Sequence, residues 1–258
     1  MKLISLNTWG GKIYNPLINF IKDNSHTTDI FCFQEVFNTT SDITEHSGFR
    51  INIYSEITGI LENHQGYFAP TLDNYIVGAF QPNFTNFNLS SGLAIFIKNN
   101  IKVLSHGDFY FYGNRDSFNP KDLNSLPRNV QYLNFTDHSK LFTLCNLHGI
   151  WIKGSKGDIH SRIQQSNQIK NFLDQQEGEK ILVGDFNLDI NTESIKILES
   201  SMINLIKKYH ISTTRSPLFP GSDKFADYMF VSKKIKVIDF QVPNLEVSDH
   251  LPMTLEFS

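Results

Sequence analysis

Two side-chain oxygens follow a short apolar run in the segment EKILVGDFNLDI, residues 179–190. The apolar residues 181–183 end at Gly184, and Asp185 and Asn187 come next with Phe186 between them. Side chains of an extended chain alternate between its two faces, so Asp185 and Asn187 share one face. The segment predicts a buried strand whose end presents a carboxylate and an amide together. The same residue types also form turns and helix caps, so this segment alone does not establish a site.

Acidic, amide and imidazole side chains also stand beside other apolar runs that read as strands. They are Asn7, Glu35, His148, Asp227, Asp249 and His250. Each one by itself could be a cap, a core histidine or half of a structural ion pair. Rigid scaffolds display catalytic groups at the ends of sheets, and the repetition of the same residue types at strand ends favours that interpretation.

The chemistry of this residue set is that of a hard divalent cation and a phosphate. Carboxylate and amide oxygens suit Mg²⁺, and Mn²⁺ is the alternative. The only cysteines, Cys32 and Cys145, lie inside apolar runs and read as reduced core residues, so a soft-metal site is not expected. Histidines next to the acids can contact a phosphate or transfer protons. The set therefore indicates metal-assisted hydrolysis of a phosphoester by an oriented water.

Length and charge limit the classes of protein that the chain can be. Its 258 residues, 40% of them hydrophobic, are within reach of a single domain over residues 1–258. A net charge of −3 provides no overall basic field for nucleic acid, although a local basic groove is compatible with it. The start of the chain turns polar at Asn7, and no apolar run reaches the length of a membrane span. We expect a cytoplasmic monomer without stable membrane insertion, and the sequence indicates no protein partner.

Strand-like segments outnumber helical ones. Apolar residues at the helix period occur at Tyr14, Leu17, Ile18 and Ile21, and predict a helix between the first two strands. Two more helices are predicted, over residues 53–61 and 158–176. Ten segments read as strands, beginning at residues 2, 29, 74, 92, 131, 140, 180, 227, 236 and 253. Because single helices separate groups of strands, the pattern predicts an α/β protein of α+β type, with two stacked mixed β-sheets flanked by helices. Residues 105–128 fit neither class.

The motifs SLNTWGG, FCFQEV, SSGLAIF, CNLHG, VGDFN, FADYMF and VSDHLP occur in this order along nearly the whole chain. In order and spacing they resemble the endonuclease/exonuclease/phosphatase superfamily, which includes deoxyribonuclease I-like and exonuclease III-like metal-dependent phosphoesterases. The resemblance implies a four-layer α/β sandwich, which agrees with the strand count.

The resemblance also implies a role for each strand-end residue. Asn7 and Glu35 would hold the divalent metal, with Asp249 as a further acid on the metal side. Asp185 and Asn187 would orient the attacking water and touch the metal, and His148 would contact the scissile phosphate. Asp227 would hydrogen-bond to His250. The sequence leaves open whether His250 acts as a base or as an electrostatic clamp.

The substrate stays open at this stage. A phosphodiesterase or nuclease-like enzyme is our first hypothesis. A phosphomonoesterase or sphingomyelinase-like lipid phosphodiesterase is the second, and a non-catalytic phosphate-binding scaffold is the third. Lys224 and Ala226 stand where abasic-site nucleases of the family carry bulk, which argues against a damaged-base pocket. The aromatic stretch FYFYG at residues 109–113 is either a membrane-dipping tip or an edge strand.

A basic cluster follows the strand that ends at His148. Lys153, Lys156 and Arg162 are predicted to bind the substrate phosphate, because cations near a catalytic strand can grip a phosphate. The alternative is a solvated loop that leads into a helix.

Overall fold

The computed structural model describes residues 1–77 and 86–258. The strands are β1 (Lys2–Asn7), β2 (Ile30–Asn38), β3 (Glu45–His46), β4 (Phe49–Arg50), β5 (His64–Val77), β6 (Phe87–Lys98), β7 (Lys102–Tyr112), β8 (Arg128–Asp137), β9 (Lys140–His148), β10 (Glu179–Asp185), β11 (Met202–Asn204), β12 (Asp227–Ser232), β13 (Val237–Gln241) and β14 (Met253–Phe257). The α-helices are α1 (Tyr14–Asn24), α2 (Ile53–Ile60), α3 (His160–Asp174), α4 (Glu193–Glu199) and α5 (Leu205–Lys208). Short 3₁₀ turns cover Trp9–Gly11 and Leu123–Ser125.

Two six-stranded mixed sheets form the centre of the fold. The first has the order β13-β14-β1-β2-β6-β5, and the second has the order β11-β12-β10-β9-β8-β7. Each sheet has one parallel pair at its middle, β1 with β2 and β9 with β10, and antiparallel pairs elsewhere. Asn7, His148 and Asp185 are the last residues of β1, β9 and β10, whereas Glu35 lies three residues before the end of β2. The topology thus brings these predicted site residues to the middle of each sheet.

The two sheets pack face to face because their central strands are apolar on both faces. In β1, Leu3 packs into the core shared with the second sheet, whereas Ile4 and Leu6 pack under α1 and α2. The outer face of the second sheet is covered by apolar side chains of α3, α4 and α5. Burial on both faces explains why these strands are continuous apolar runs. The four layers are therefore helices, sheet, sheet and helices, and the predicted fold class is confirmed.

Most elements agree with the predictions and a few do not. The strands predicted from residues 140, 227 and 253 agree with β9, β12 and β14, and the three predicted helices correspond to α1, α2 and α3. The strand predicted over residues 74–80 is found as far as Val77, and its last three residues lie outside the described ones. The first part of β5 and the first part of β7 were not predicted as strands, whereas the edge-strand interpretation of FYFYG is correct for residues 109–112, which end β7. β7 is the edge strand of the second sheet.

Tertiary pairing explains the missed strands. β5 and β7 are polar or exposed at many positions, and their register contains bulges, so their residues show neither a continuous apolar run nor a clean alternation. Among the described residues, none of the helices combines the length and the apolar character needed to cross a bilayer.

Candidate active site

Three predicted residues form a row across the end of the second sheet. The register aligns Asp185 with His148 of the parallel neighbour β9 and with Asp227 of the antiparallel neighbour β12. Directly aligned residues of neighbouring strands point their side chains to the same face. The imidazole of His148 lies 3.6 Å from Asp185, measured from Nε2 to Oδ2. Sheet register alone thus assembles an imidazole and two carboxylates from distant parts of the sequence.

Glycines allow the backbones to converge at this row. A Cβ at Gly184 would lie 2.1 Å from the carbonyl oxygen of Leu147, and Gly184 has a φ of +135°. A Cβ at Gly149 would lie 2.3 Å from the carbonyl oxygen of Phe186. The Gly149 N–H donates to the Asp185 carbonyl at 2.6 Å, which continues the pairing beyond the strand ends. The glycines of the motifs VGDFN and CNLHG are therefore required for close approach of the strands.

The first sheet contributes Asn7 and Glu35. A break in the register of β2 against β6 falls between Phe33 and Val36 and contains Glu35, whose φ is +54°. A non-glycine residue in this region is strained, and such strain is concentrated at functional sites. Asn7 Nδ2 donates to Glu35 Oε1 at 3.1 Å and to Asp185 Oδ2 at 3.2 Å, so it links the carboxylates of the two sheets.

Asp227 and His250 form a buried pair. His250 Nδ1 lies 2.8 Å from both carboxylate oxygens of Asp227, and the two residues are only 3% and 2% exposed. Burial and the Arg215 cation lower the pKa of His250, but the negative charges of Asp227 and Asp185 outweigh both and leave the pKa raised. His250 Nε2 lies 3.7 Å from Asp185 Oδ2. Asp227 thus fixes the orientation of the His250 imidazole beside the Asp185 carboxylate.

Asp185 is the electrostatic centre of the site. Burial raises its pKa, but the positive charges around it, led by His250 and including Lys156 and Arg215, hold the pKa well below its usual range. It is therefore ionised at neutral pH. Burial and the nearby Arg128 cation lower the pKa of His148, which is therefore neutral at neutral pH. The two histidines beside Asp185 differ in protonation because only His250 has a paired aspartate.

Asn187 is fixed by contacts at both ends of its amide. Its backbone N–H donates to Asp185 Oδ1 at 2.8 Å, and its φ is +56°. Its Nδ2 donates to the Gly149 carbonyl at 3.3 Å, and its Oδ1 accepts from Lys156 Nζ. Burial lowers the pKa of Lys156. Lys156 therefore acts on the site indirectly, because its ammonium group holds the Asn187 side chain in place.

The donor set fits a hard divalent cation. Glu35, His148 and Asp185 each offer a ligand atom, and these atoms lie within 4.8 Å of one another. Burial raises the pKa of Glu35, and the negative charge of Asp249 adds to the rise, so an added cation would relieve an unfavourable negative charge. Asn7 presents Nδ2 to the carboxylates, and its Oδ1 accepts from the Trp9 N–H at 3.0 Å. Binding a cation through Asn7 Oδ1 requires the amide to rotate.

Two arginines at the site were not found from the sequence. Arg128 and Arg215 line the same cleft as Glu35, His148 and Asp249, and they are 7% and 9% exposed. Arg128 is the first residue of β8. It was missed because the sequence predicted this strand to begin only at residue 131. Arg215 has no local signal. An isolated backbone bridge pairs it with His250, and Arg215 Nη1 contacts His250 Nε2.

The predicted basic rim is dispersed in the structure. Lys153 is exposed and is not among the described residues that line the cleft. Arg162 is fully buried, and its guanidinium donates to the carbonyls of Ile150, Ser155 and Gly157 at 2.6–3.1 Å. This position corrects the expectation that Arg162 grips a substrate phosphate. The residue lies on the inner side of α3 and satisfies the carbonyls of the loop after β9, where sequence alone suggested a surface charge.

The cleft has a volume of about 400 Å³, which is in the range of small-molecule sites. Its floor carries Glu35, His148, Asp185, Asn187, Asp249 and His250, and aromatic side chains that include Trp9, Trp151 and Phe219 contribute to its walls. Trp151 is 39% exposed, an unusual exposure for so large an apolar side chain. The cleft thus combines an ionic floor with apolar walls.

Comparison with known proteins agrees with this architecture. The model of the Endonuclease/Exonuclease/phosphatase family matches residues 4–250, and no curated protein matches significantly. Among solved structures, the chain is similar to a mannosyl-6-phosphatase of Bacteroides thetaiotaomicron, with 19% identity, a TM-score of 0.71, and coverage of 100% of this chain and 99% of that chain. A family protein from Leptotrichia buccalis is 18% identical with a TM-score of 0.68, covering 100% and 99%. A truncated TDP2 from Caenorhabditis elegans is 15% identical with a TM-score of 0.62, covering 99% and 96%. At these identities the likeness concerns the fold.

Proposed function

The chain belongs to the endonuclease/exonuclease/phosphatase family, and on that premise we propose that it is a divalent-metal-dependent phosphoester hydrolase. The observation that carries this proposal is the row of His148, Asp185 and Asp227 across the second sheet, completed by Asn7 and Glu35 from the first sheet. An acid, amide and imidazole set of this kind has the donors for a hard cation, a water and a phosphate. Hydrolysis of a phosphoester requires all three.

Glu35, with Asn7 and Asp249 as further oxygen donors, would hold Mg²⁺ or Mn²⁺. The bound cation supplies Lewis-acid stabilisation of the negative charge that develops on the phosphate. Asp185 and Asn187 orient the attacking water, because both are buried and each is fixed by hydrogen bonds to its neighbours. Asp185 is ionised, so it can accept a hydrogen bond from the water and hold it in position for attack.

His148 and His250 act on the phosphate itself. His148 lies 3.9 Å from Glu35 and 3.6 Å from Asp185, so its Nε2 can donate to a phosphate oxygen between the two sheets. Asp227 fixes the ring of His250 through Nδ1 and supports its positive charge as the phosphate gains negative charge. The pair therefore acts as a preorganised electrostatic clamp.

A substrate panel with Mg²⁺, Mn²⁺ and EDTA tests the proposal. The purified chain should release nitrophenol from nitrophenyl phosphate, bis(nitrophenyl) phosphate or both in the presence of metal, and release should stop in EDTA. Asp185→Asn should abolish release while the fold is retained, as measured by circular dichroism. A chain that binds metal but hydrolyses no member of a panel of sugar, nucleotide, nucleic acid and lipid phosphoesters would support the scaffold hypothesis instead.

The phosphomonoesterase alternative is favoured by one specific observation. The sequence placed a phosphodiesterase first, but the cleft is small and carries Arg128 and Arg215 as well as the ionic floor. Two guanidinium groups suit a phosphate with more free oxygens than a diester has. The hydrolase is proposed in either case, and the class of ester is a separate question.

A further inference from the structure

Arg128 is a buried cation whose side chain has no hydrogen bond or ion pair with any of the described residues. It is 7% exposed, and within residues 1–77 and 86–258 the charges that raise its pKa are those of Glu35 and Asp185, which act through space without a hydrogen bond. Burial lowers its pKa, but a guanidinium keeps its proton in proteins. A buried charge normally has a hydrogen-bonded partner. Its position in the cleft indicates that the missing partner is an anion that enters from solvent.

Arg215 provides a second, differently placed guanidinium. Its Nη1 is 3.6 Å from Asp249 Oδ2 and contacts His250, and its charged group lies 4.2 Å from the centre of the Phe219 ring. Its Nε is buried and has no hydrogen-bond partner within the described part of the chain. Arg215 therefore belongs to the Asp249–His250 side of the cleft, whereas Arg128 belongs to the Glu35–His148 side.

We propose that Arg128 and Arg215 together bind the terminal phosphate of a small phosphomonoester, and that this two-arginine site selects monoesters over diesters. The inference rests on the proposed phosphoester hydrolysis and names its substrate class. The anion is recognised by its terminal, doubly charged phosphate.

The number of free oxygens is the physical reason for the selection. A terminal phosphate has three oxygens without a substituent and a charge near −2, whereas a diester has two such oxygens and a charge of −1. Each guanidinium is a planar fork of donors that favours two acceptor atoms. The two free oxygens of a diester are too few to accept hydrogen bonds from both guanidinium groups and also contact a metal ion held by Glu35.

A different role for Arg128 makes a different prediction. If the guanidinium only balances the charges of Glu35 and Asp185, its removal should tighten the binding of Mg²⁺, because a repelling cation is lost. It should then affect mono- and diesters equally. A substrate-binding Arg128 instead changes the ratio between the two substrates and the affinity for phosphate.

The test compares Arg128→Met, Arg128→Lys and Arg215→Met with the unmodified chain. Lys102→Met is the matched control, because it removes one positive charge from the exposed start of β7. Lys102 is ten residues along the strand from Tyr112, the partner of Arg128, which is about 33 Å at the rise of a strand. The measurements are kcat/KM with Mg²⁺ for nitrophenyl phosphate and for bis(nitrophenyl) phosphate, and calorimetric titrations with orthophosphate and with Mg²⁺.

The unmodified chain should prefer the monoester. Arg128→Met and Arg215→Met should each lower kcat/KM for the monoester and weaken orthophosphate binding by about tenfold or more, the effect of a lost charge-assisted hydrogen bond. The diester should lose much less, and Lys102→Met should change neither. Arg128→Lys keeps the charge but loses the planar pair of donors, so its kcat/KM for the monoester should lie between those of the unmodified chain and Arg128→Met. It serves as the test if Arg128→Met does not fold.

Preference of the unmodified chain for the diester would overturn the inference. So would an unchanged ratio of the two substrates in Arg128→Met, or unchanged orthophosphate binding. Failure of the proposed function looks different, because no ester would then be hydrolysed in a metal-dependent way. In that case the orthophosphate titrations still decide whether the two arginines bind a terminal phosphate.

Discussion

The buried pair of Asp227 and His250 allows the sharpest prediction. The perturbations are His250→Ala, Asp227→Asn and the double variant. Nδ1 of His250 is 2.8 Å from both carboxylate oxygens, and neither residue is more than 3% exposed, so water cannot replace the lost partner. His250→Ala leaves the Asp227 carboxylate buried without its partner, so it should also lower the melting temperature, which is measured beside the rates.

The magnitudes follow from what each change removes. His250→Ala deletes a preorganised donor, which should lower kcat about 10²- to 10³-fold. Asp227→Asn keeps a hydrogen-bonding group at the same place but removes its charge. It should therefore lower kcat less than His250→Ala does and raise the activation free energy by about 1.5–3 kcal/mol. Once His250 is gone, Asp227 has no imidazole to position. The double variant should therefore resemble His250→Ala, and the two effects should be far from additive.

The assay is kcat and kcat/KM for the best substrate of the panel, measured for all four chains across pH. The raised pKa of His250 means that its positive charge is present at low pH and is lost as pH rises through that pKa. If the charged form is active, activity should fall on the alkaline side. In Asp227→Asn the pKa of His250 should drop because the negative charge is gone, and the fall should move to lower pH.

Additive losses in the double variant would refute the proposed coupling. An alkaline limb that stays at the same pH in Asp227→Asn would refute the electrostatic role of the carboxylate. Melting temperatures of all four chains in EDTA serve as the control for misfolding.

Three further changes test other parts of the reasoning. Glu35→Gln should weaken Mg²⁺ or Mn²⁺ binding in a calorimetric titration and lower turnover, with little change in melting temperature in EDTA; full activity at limiting metal would exclude Glu35 as a ligand. Arg162→Ala should lower the free energy of unfolding by about 2–4 kcal/mol, because several buried carbonyls lose their donor; a raised KM with unchanged stability would restore it as a substrate residue. Burial lowers the pKa of His64, so stability should be full above about pH 6.5 and fall by up to about 1.4 kcal/mol per pH unit below it. His64→Gln should flatten this acid limb in denaturant titrations between pH 8 and pH 5, and an unchanged slope would assign it to another group. The salt dependence of substrate binding should be shallow, and a log–log slope on the order of −5 would indicate a long nucleic acid.

The sequence predicted those strands correctly whose apolar residues follow a regular burial pattern. β9 and β12 were found because they are mostly apolar and buried on both faces, and β14 because its buried apolar residues alternate with more exposed polar ones. The site residues lie at the limits of these strands, since His148 ends β9 and Asp227 begins β12. Prediction failed for Arg162, where a cation on a polar segment read as solvated. The guanidinium is buried because the carbonyls of the preceding loop need donors, and no sequence pattern records that need.

From the sequence alone, the order of strands and helices and the family resemblance predicted the fold class. The polar residues at the ends of apolar runs, together with the resemblance, predicted which side chains would lie together in a site. The strand-end positions of Asn7, His148 and Asp185 follow from local patterns, since each strand ends where its apolar run ends. Glu35 was expected to close its strand, but β2 continues to Asn38. The predictions of one domain, a cytoplasmic location and a monomer stay predictions.

Only the tertiary structure decided how these residues face one another and which cations join them. Sheet register placed His148 and Asp227 on either side of Asp185, and a break in the pairing of β2 turned Glu35 toward the second sheet. Arg128 and Arg215 entered the cleft through pairings with distant segments, one with β7 and one with the backbone at His250. Register and long-range pairing depend on how two sheets pack as whole bodies, whereas the sequence around a residue reports only its nearest neighbours along the chain. That physical difference is why the acids and histidines of this site were found before the structure and its two arginines only with it.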